Sequence, residues 1–507
     1  MLLAFAVCPA ARAQERPPIE SIEIRTFNVF TPEEAAKAFF PYRLANSIHI
    51  ESRKSFIARE LTFHVGDALD PEKLAETERN LRALSLFRAV AVRSKGPNVS
   101  VETFDAWTLL LRGNFSSRGG ATAYSLGVEE SNFLGTGKGL SVQYEDDVDR
   151  TSASISYSDP SFFAPYTFLN FTAADFSDGK NFAVGLARPF YALDVDRMGA
   201  ANYRQTLFDT RLYAGGVEVA RWRERNRAAS AAGGLLLSLG GDSAYRLLGS
   251  VEWSDVAFLG ADHGPPPPTE ARRFLFLMAG LQREGRRWIE RRQVDKMDRD
   301  EDFNLAPSAR LEIGASPSVF GAETAGRVRG RGSLGTLMPW GIALATASFD
   351  TRLQAEGLEA GRLTVDMRGY LLRRNVTLAG RVGVVAGWRL DPEQQIELDG
   401  ENGVRGYRLH AVSGTGHVVA NLESRFFLVS DLLQLLSIGV AAFADAGVSW
   451  GAPDYTQRLA DVGLGLRFGL TRASKTSVIR VDLARALYTD PLGRTGWLLS
   501  FSSGQAF

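Results

Sequence analysis

The sequence is almost free of cysteine and has no excess of either charge. Its 507 residues contain one cysteine, Cys8, and 58 basic residues balance 58 acidic ones. A nucleic-acid-binding chain is expected to show a basic footprint, so nucleic acid is not an expected partner. A chain of this kind needs no disulfide and is compatible with an oxidising compartment.

Long apolar runs are scarce as well. The uncharged stretch 332–349 reaches 18 residues, but three glycines and Pro339 interrupt it, so we expect no transmembrane helix. An exported chain that belongs to a membrane must then cross it with strands, because only helices and closed barrels satisfy the backbone in lipid. The five histidines are scattered and no nucleophile–base pair is visible. We therefore expect neither an enzyme nor a metal or cofactor site.

Residues 1–13 are predicted to be a secretory signal peptide. The apolar run Leu2–Val7 leads to the small-residue site Ala11-Arg12-Ala13, which is typical of a cleavage site. The positively charged segment that usually precedes the run is missing, which favours a start further upstream. A lipoprotein signal at Cys8 is the alternative.

Residues 19–105 are predicted to form a small α/β domain with the order strand, helix, helix, strand, strand. Asp70 is the candidate N-cap of the second helix, with Pro71 at its first position. The spaced residues of 59–92, with the sequences REL, GD, DP and NLRALSLF, resemble a POTRA domain. This resemblance implies a periplasmic module that handles polypeptides.

Residues 107–507 show short alternating segments separated by Gly, Asp, Asn and Pro clusters, which is typical of a transmembrane β-barrel. At roughly 25 residues per strand with its share of loops, the stretch predicts about 16 antiparallel strands. A soluble sandwich would also alternate, but the export signal favours the membrane barrel.

Alternation is clearest in 418–428, 438–450 and 461–470. Residues two apart point to the same side of a sheet, so each segment has one apolar face and one polar or small face. The polar or small faces carry Glu423, then Phe443, Asp445 and Gly447, and then Gly463, Gly465 and Arg467.

Three motifs occur in a fixed order: Val404-Arg405-Gly406-Tyr407, then F-A-D-A-G at 443–447, then G-L-G-L-R at 463–467. Together they resemble the signature motifs of the BamA/TamA superfamily of outer-membrane assembly and translocation proteins. The resemblance implies a 16-stranded barrel and an extracellular loop that folds back into the lumen. It also implies that Arg405 pairs with Asp445 and Glu423 on the inner wall.

The residue types are compatible with that arrangement. The planar guanidinium of Arg405 can bind a carboxylate through two hydrogen bonds, and the flanking Gly403 and Gly406 permit close approach of the backbone. The alternative is a solvated arginine in an ordinary loop, with Asp445 an independent charge in the lumen.

Two further segments lead to expectations. Trp497, Phe501 and Phe507 resemble the aromatic C-terminal signal by which barrels are recognised for insertion, and the first and last strands would meet there in a weak seam. Residues 283–302 hold 14 charges of both signs, which favours a solvated strand end or loop; a lipopolysaccharide or partner patch is the alternative.

The resemblance implies a bacterial outer-membrane protein that helps client polypeptides insert or cross, with its POTRA domain in the periplasm. The partners expected are outer-membrane lipids including lipopolysaccharide, client outer-membrane or secreted polypeptides, and periplasmic or lipoprotein accessory subunits. A dedicated secretion pore for one protein, or a channel or anchor without assembly activity, are the alternatives.

Overall fold

The computed structural model describes residues 16–31, 33–34, 46–118, 121–451, 456–474 and 478–507; the side chains of 112–118 and 121–122 are not described. The predicted signal peptide and Cys8 lie outside these residues.

The N-terminal part is an α/β unit with a three-stranded sheet in the order β1-β3-β2. Strand β1 runs parallel to β3, and β2 runs antiparallel to it. The sheet therefore has β1 and β2 at its edges. The elements are β1 (Ser21–Phe27), α1 (Lys54–Arg59), α2 (Pro71–Ala83), β2 (Phe87–Lys95) and β3 (Asn98–Asp105).

Helix α2 begins where the sequence predicts, because the Asp70 side chain accepts a hydrogen bond from the Glu72 backbone N–H and Pro71 occupies the first turn. Its buried Leu81 packs with Ile57 of α1 and Val101 of β3 in the core of the unit. No helix in the described part of the chain has the length and hydropathy needed to span a membrane.

Most of the described residues after 108 form one large sheet whose strand order returns on itself, so that β27 (Trp497–Ser503) lies beside β4 (Leu109–Arg118) in a closed barrel. Consecutive strands are antiparallel. The barrel strands are β4 (Leu109–Arg118), β5 (Ala121–Phe133), β6 (Lys138–Asp146), β7 (Thr151–Asp159), β8 (Phe168–Phe176), β9 (Gly179–Arg188), β10 (Arg197–Ala214), β11 (Val217–Gly240), β12 (Ser243–His263), β13 (Arg272–Gly285), β16 (Ser308–Ser316), β17 (Ala325–Met338), β18 (Gly341–Gln354), β19 (Gly357–Arg373), β20 (Val376–Trp388), β23 (Gly416–Leu432), β24 (Leu436–Trp450), β25 (Gln457–Leu470), β26 (Val478–Ala486) and β27 (Trp497–Ser503).

Two short hairpins lie outside the barrel sheet. One pairs β14 (Trp288–Arg292) with β15 (Asp300–Asn304), and the other pairs β21 (Ile396–Leu398) with β22 (Val412–Gly414). We call residues 288–304 the inner hairpin. Residues 389–415, which connect β20 to β23 and contain β21 and β22, are called the lumen loop.

The described residues form a barrel of 20 strands, and the expected number of about 16 is therefore not what the structure has. The expectation assigned too many residues to loops. Several neighbouring strands are joined by only two residues, such as Gly215-Gly216 between β10 and β11. Both of these glycines have positive φ, the backbone conformation that tight hairpin turns require.

Side chains alternate between two environments along the barrel strands. In β24 every second residue from Ser437 to Ser449 is buried, so the alternation predicted for 438–450 is confirmed. On β12 and β13, by contrast, Leu247, Val251 and Leu277 are exposed, while Glu252 on the opposite face binds Arg327 and Arg329 across the interior. The barrel therefore has an apolar outer surface and a charged lumen.

The α/β unit sits at one end of the barrel, which we call the domain end; the opposite end is the far end. The loop between β7 and β8 contacts the unit, because the Ser161 hydroxyl donates to the Glu60 carboxylate and the Tyr166 hydroxyl to the Glu60 backbone oxygen. Arg82 of α2 donates to both oxygens of Asp302 in the inner hairpin, each at 2.8 Å.

Candidate functional site: a charge network in the barrel lumen

The lumen loop leaves the far end of the barrel and folds back against the inner wall. Val404 and Tyr407 are buried with Leu398, Val419 and Leu459 in one apolar cluster. The Tyr407 hydroxyl lies 2.9 Å from the Ala460 backbone oxygen and accepts a hydrogen bond from the Ala460 N–H at 3.1 Å. Apolar packing and this hydroxyl thus hold the loop on both sides of Arg405.

Arg405 projects from the loop into a buried set of carboxylates. Its Nε donates to Asp445 Oδ2 at 2.8 Å and its Nη2 to Asp445 Oδ1 at 2.9 Å. Its Nη1 donates to Glu423 Oε2 at 2.5 Å. The guanidinium carbon also lies 3.5 Å from the centre of the Phe443 ring, a cation–π contact on the face that the carboxylates leave free.

Glu423 is the centre of the network. It is fully buried and accepts hydrogen bonds from three arginines: Arg405, Arg425 and Arg467. Arg467 in turn donates to Asp482 Oδ1 at 2.5 Å, while Asn421 donates to Asp445 Oδ1 at 2.8 Å. Buried arginines need acceptors of this kind, since an unpaired charge in the interior is costly.

The motif glycines leave the space that the loop and the network occupy. A Cβ at Gly406 would lie 2.6 Å from Asp461 Cβ, and one at Gly447 would lie 2.9 Å from a Leu398 methyl group. A Cβ at Gly463 would clash with the Phe443 ring, and one at Gly465 with Asp482 and Arg467. Any side chain at these positions would therefore push the loop or the network out of place.

The part of the lumen loop that lies at the far end of the barrel is attached to β10. The Gln395 side chain accepts from the Tyr213 N–H and donates to the Tyr213 oxygen, each at 2.9 Å. His410 stacks on the Tyr213 ring with centroids 3.8 Å apart. Its Nδ1 lies 2.9 Å from the Glu397 carboxylate, and its Nε2 lies 3.6 Å from Asp149. Burial disfavours the charged imidazole, but the two carboxylates outweigh it and raise the pKa of His410 to about 10.

Glu397, Asp399 and His410 lie close enough together to hold a metal ion, an arrangement that the scattered histidines of the sequence did not indicate. Their atoms already serve one another and the loop. Asp399 accepts from the backbone N–H groups of Glu401, Asn402 and His410, and His410 is paired with Glu397. The set therefore acts as a loop brace.

The inner hairpin enters the lumen from the domain end. Its tip, residues 293–299, places the fully buried Val294 against Ile342 and Tyr370 of the inner wall. The backbone oxygen of Val294 accepts from Arg425 Nη1 at 2.5 Å, and that of Gln293 accepts from Thr377 at 2.8 Å. Arg299 donates to the oxygens of Thr471 and Ala473.

The solvated loop expected for 283–302 is therefore wrong for the tip of this segment. Asp298 of the tip accepts from Ser437 of the barrel wall, and Asp302 of a flanking strand pairs with Arg82 of the α/β unit. A charge count cannot reveal such partners. Arg425 links the inner hairpin to the lumen loop. It donates to Val294 of the hairpin and to Glu423, and Glu423 in turn binds Arg405 of the loop.

The C-terminal aromatic residues do not share one surface. Trp497 and Leu499 are exposed on β27, but the strand ends at Ser503 and the chain turns at Gly504, where φ is +87°. Phe507 is buried with Val294 and Tyr370, and its ring centre lies 5.5 Å from the Arg425 guanidinium. The resemblance of Trp497, Phe501 and Phe507 to an insertion signal stays a prediction.

The structure brings together the motif residues Arg405, Phe443, Asp445 and Arg467 with their predicted partner Glu423. Asn421 and Arg425 also belong to the network, and their place on the polar face of 418–428 was a usable signal. Asp482 lies in none of the three motifs. The contact made by the backbone oxygen of Val294 could not be predicted, because every residue has such an oxygen.

The fold and the site define a closed β-barrel with an α/β unit at one end and a lumen loop held by buried ion pairs. No family model matches the sequence, and no curated protein matches it. Among solved structures, the chain is similar to a BamA from Haemophilus ducreyi that lacks POTRA domains 1–3, at 13% identity, with 96% of this chain and 84% of that chain covered and a TM-score of 0.39.

The chain is also similar to CdiB from Escherichia coli, at 13% identity, 96% and 76% coverage and a TM-score of 0.49. For CdiB from Acinetobacter baumannii the values are 12%, 97% and 74%, and 0.45.

Replacing Arg405 with alanine should lower the free energy of unfolding of the barrel by about 3–5 kcal/mol, because it leaves buried carboxylates without a partner. Urea titration in lipid vesicles, followed by tryptophan fluorescence, measures the change, and protease cleavage within 389–415 should increase. Arg408→Ala, in the same loop but outside the network, is the matched control. Equal stability of the two variants would contradict the assignment.

The attachment of the lumen loop to β10 should weaken in alkaline solution. The pKa of His410 is raised to about 10 by its carboxylate partners, against about 6.5 in an unfolded chain. Its stabilising effect is therefore complete below about pH 6.5 and is lost as the pH rises through about 10. Hydrogen exchange of 389–415 should speed up over that range, and His410→Gln should remove the pH dependence.

Proposed function

We propose that this protein is an outer-membrane barrel of the BamA/TamA type that helps client polypeptides insert into or cross the membrane, without catalysis or a cofactor. The α/β unit would be a POTRA domain in the periplasm, which puts the far end outside the cell. One observation carries the proposal: Arg405 of the lumen loop, Glu423, Arg425 and Val294 of the inner hairpin form an unbroken chain of hydrogen bonds.

These hydrogen bonds join the lumen loop and the inner hairpin, which enter the lumen from opposite ends. A polypeptide or solute that used the lumen would have to displace both of them and break buried charge pairs. That arrangement favours a resting state in which clients are handled at the barrel wall. A permanently open channel is the less favoured alternative.

The junction between β27 and β4 is the part of the barrel wall where a client could bind. With seven residues, β27 is the shortest strand of the barrel, so few hydrogen bonds close the sheet there. Trp107, just before β4, is tied instead to the segment after β25, through its N–H to the Arg472 oxygen and its oxygen to the Ser474 N–H. A client strand could pair at this seam, and the client's own folding would supply the driving force.

The α/β unit would deliver clients to this seam. Its sheet has β1 and β2 as edges, and an exposed edge can bind an extended peptide by strand addition. The unit also contacts the inner hairpin through Arg82 and Asp302. A client that moves the unit would therefore pull on the element that fills the domain end of the lumen.

A dedicated secretion pore for one exported protein is a second candidate. The infolded loop and hairpin are compatible with a pore that opens only for its partner. Accessory lipoproteins or periplasmic subunits would bind the α/β unit in either case.

The proposed membrane placement predicts depth-dependent costs on the outer surface. Leu277→Arg, in the middle of the exposed apolar face, should destabilise the barrel in lipid vesicles by roughly 2–4 kcal/mol. Leu259→Arg, beyond that face toward the far end, should cost roughly 0–1 kcal/mol. Unfolding titrations in vesicles check this, and equal costs for the two variants would contradict the placement.

The assembly activity predicts that proteoliposomes containing this protein insert an unfolded client barrel faster than empty liposomes do. Arg405→Ala should slow the insertion, because the loop that braces the wall is released, whereas Arg408→Ala should leave the rate unchanged. Acquisition of protease resistance by the client measures insertion, normalised to the folded fraction of each variant.

The same vesicles separate the alternatives. No acceleration by the wild-type protein would contradict the assembly role. A wide, stable conductance that is insensitive to Arg405→Ala would favour a channel instead. Transport of one exported partner without any effect on client barrels would favour the secretion pore.

A further inference from the structure

We propose that the outer wall of the barrel carries a binding site for the phosphate groups of a bisphosphorylated glycolipid headgroup, formed by Arg225 and Arg227 of β11 and Arg273 of β13. This inference rests on the membrane placement proposed above. It assigns a ligand to residues that lie outside the lumen network.

The three arginines lie on the exposed face of the barrel. Arg227 is directly opposite Asp255 of β12, and Asp255 is directly opposite Arg273. On β12, every second residue from Asp255 toward the domain end includes Val251 and Leu247. On β13, every second residue from Arg273 toward the same end includes Leu277. All three are exposed apolar residues. Because residues two apart share a face, the arginines point to the same side as this apolar surface.

The arginines sit where the apolar surface ends. The row next to them on the side of the domain end pairs Tyr203 with Ala229 and Ala229 with Trp253. Beyond that row, β11 presents Leu235, Leu237 and Leu239, all exposed. Aromatic residues of membrane barrels mark the boundary between hydrocarbon and headgroups, so the arginines lie at headgroup depth toward the far end.

Positive charge is in excess at this place. Asp255 is buried beneath the arginines, 3.1 Å from Arg273 Nε and 3.5 Å from Arg225 Nη2. Asp209 pairs with the adjacent Arg223 at 3.0 Å. Glu323 accepts from the backbone N–H of Arg273 at 3.2 Å. These acids order the arginines without matching all of them.

Two donors have no acceptor. The Nε atoms of Arg225 and Arg227 are shielded from solvent and make no hydrogen bond within the described part of the chain. Buried donors of this kind are normally satisfied, so both guanidinium groups keep hydrogen-bonding capacity that the acids beside them do not use. Phosphate fits, because a guanidinium binds it through two parallel hydrogen bonds.

The distance between the arginines indicates which kind of headgroup the site would bind. Arg227 and Arg273 are separated by one intervening strand, so their backbones are roughly 10 Å apart. One phosphodiester can reach only one end of this row, whereas a sugar headgroup with two phosphates can contact both ends.

The test is retention of lipid by the full-length protein. The wild-type protein would be reconstituted with lipid A, phosphatidylglycerol and a zwitterionic phospholipid, and the lipids that stay bound after detergent exchange would be measured by native mass spectrometry. The variants are Arg225→Gln/Arg227→Gln and, as matched control, Arg197→Gln/Arg485→Gln, which removes two arginines from the outer face away from the site.

We expect lipid A to be retained over phosphatidylglycerol, and retention to fall at least about tenfold in Arg225→Gln/Arg227→Gln, since each lost charge-assisted hydrogen bond to phosphate is a strong one. The control should retain lipid A. Equal loss in both variants, equal retention of phosphatidylglycerol, or release by millimolar inorganic phosphate would each overturn the inference. If the wild-type protein does not insert into vesicles at all, the membrane placement fails instead, and the two failures are distinguishable.

Discussion

The interior of this barrel depends on one buried carboxylate. Glu423 has no contact with solvent and accepts from Arg405, Arg425 and Arg467. Each arginine also has a second role. Arg405 belongs to the lumen loop, Arg425 binds the inner hairpin, and Arg467 binds Asp482. Without Glu423, three neighbouring cations would repel one another in a medium that screens them poorly. The positions of both infolded elements therefore rest on this residue.

Charge is only half of the arrangement, because the network also needs room. The glycines at 406, 447, 463 and 465 stand where a single methyl group would meet the loop, the Phe443 ring or a charged side chain. Each motif in the sequence thus combines a charged or aromatic residue with a glycine. The first makes the contact, and the second lets the backbone come close enough for it.

The predictable parts of the structure were those governed by local rules. Alternation identified the strand 438–450 and put Glu423, Asp445 and Arg467 on inward faces, and the cap at Asp70 identified the start of α2. The number of strands was not predictable from residue counts, because it depends on how many turns contain only two residues. The tip of the inner hairpin was misjudged for a different reason. Its burial is decided by partners distant in sequence, and its charge density alone suggested exposure to solvent.

The inner hairpin is held partly through its backbone. Arg425 and Thr377 bind the oxygens of Val294 and Gln293, and Arg299 of the tip binds oxygens of the wall segment 471–473. A peptide oxygen is present whatever the side chain is. The hydrogen bonds at 293 and 294 therefore do not depend on the side chains there, whereas insertion or deletion of one residue would shift both oxygens out of register. Selection should act on the length of this segment as well as on the side chains of Val294 and Arg299.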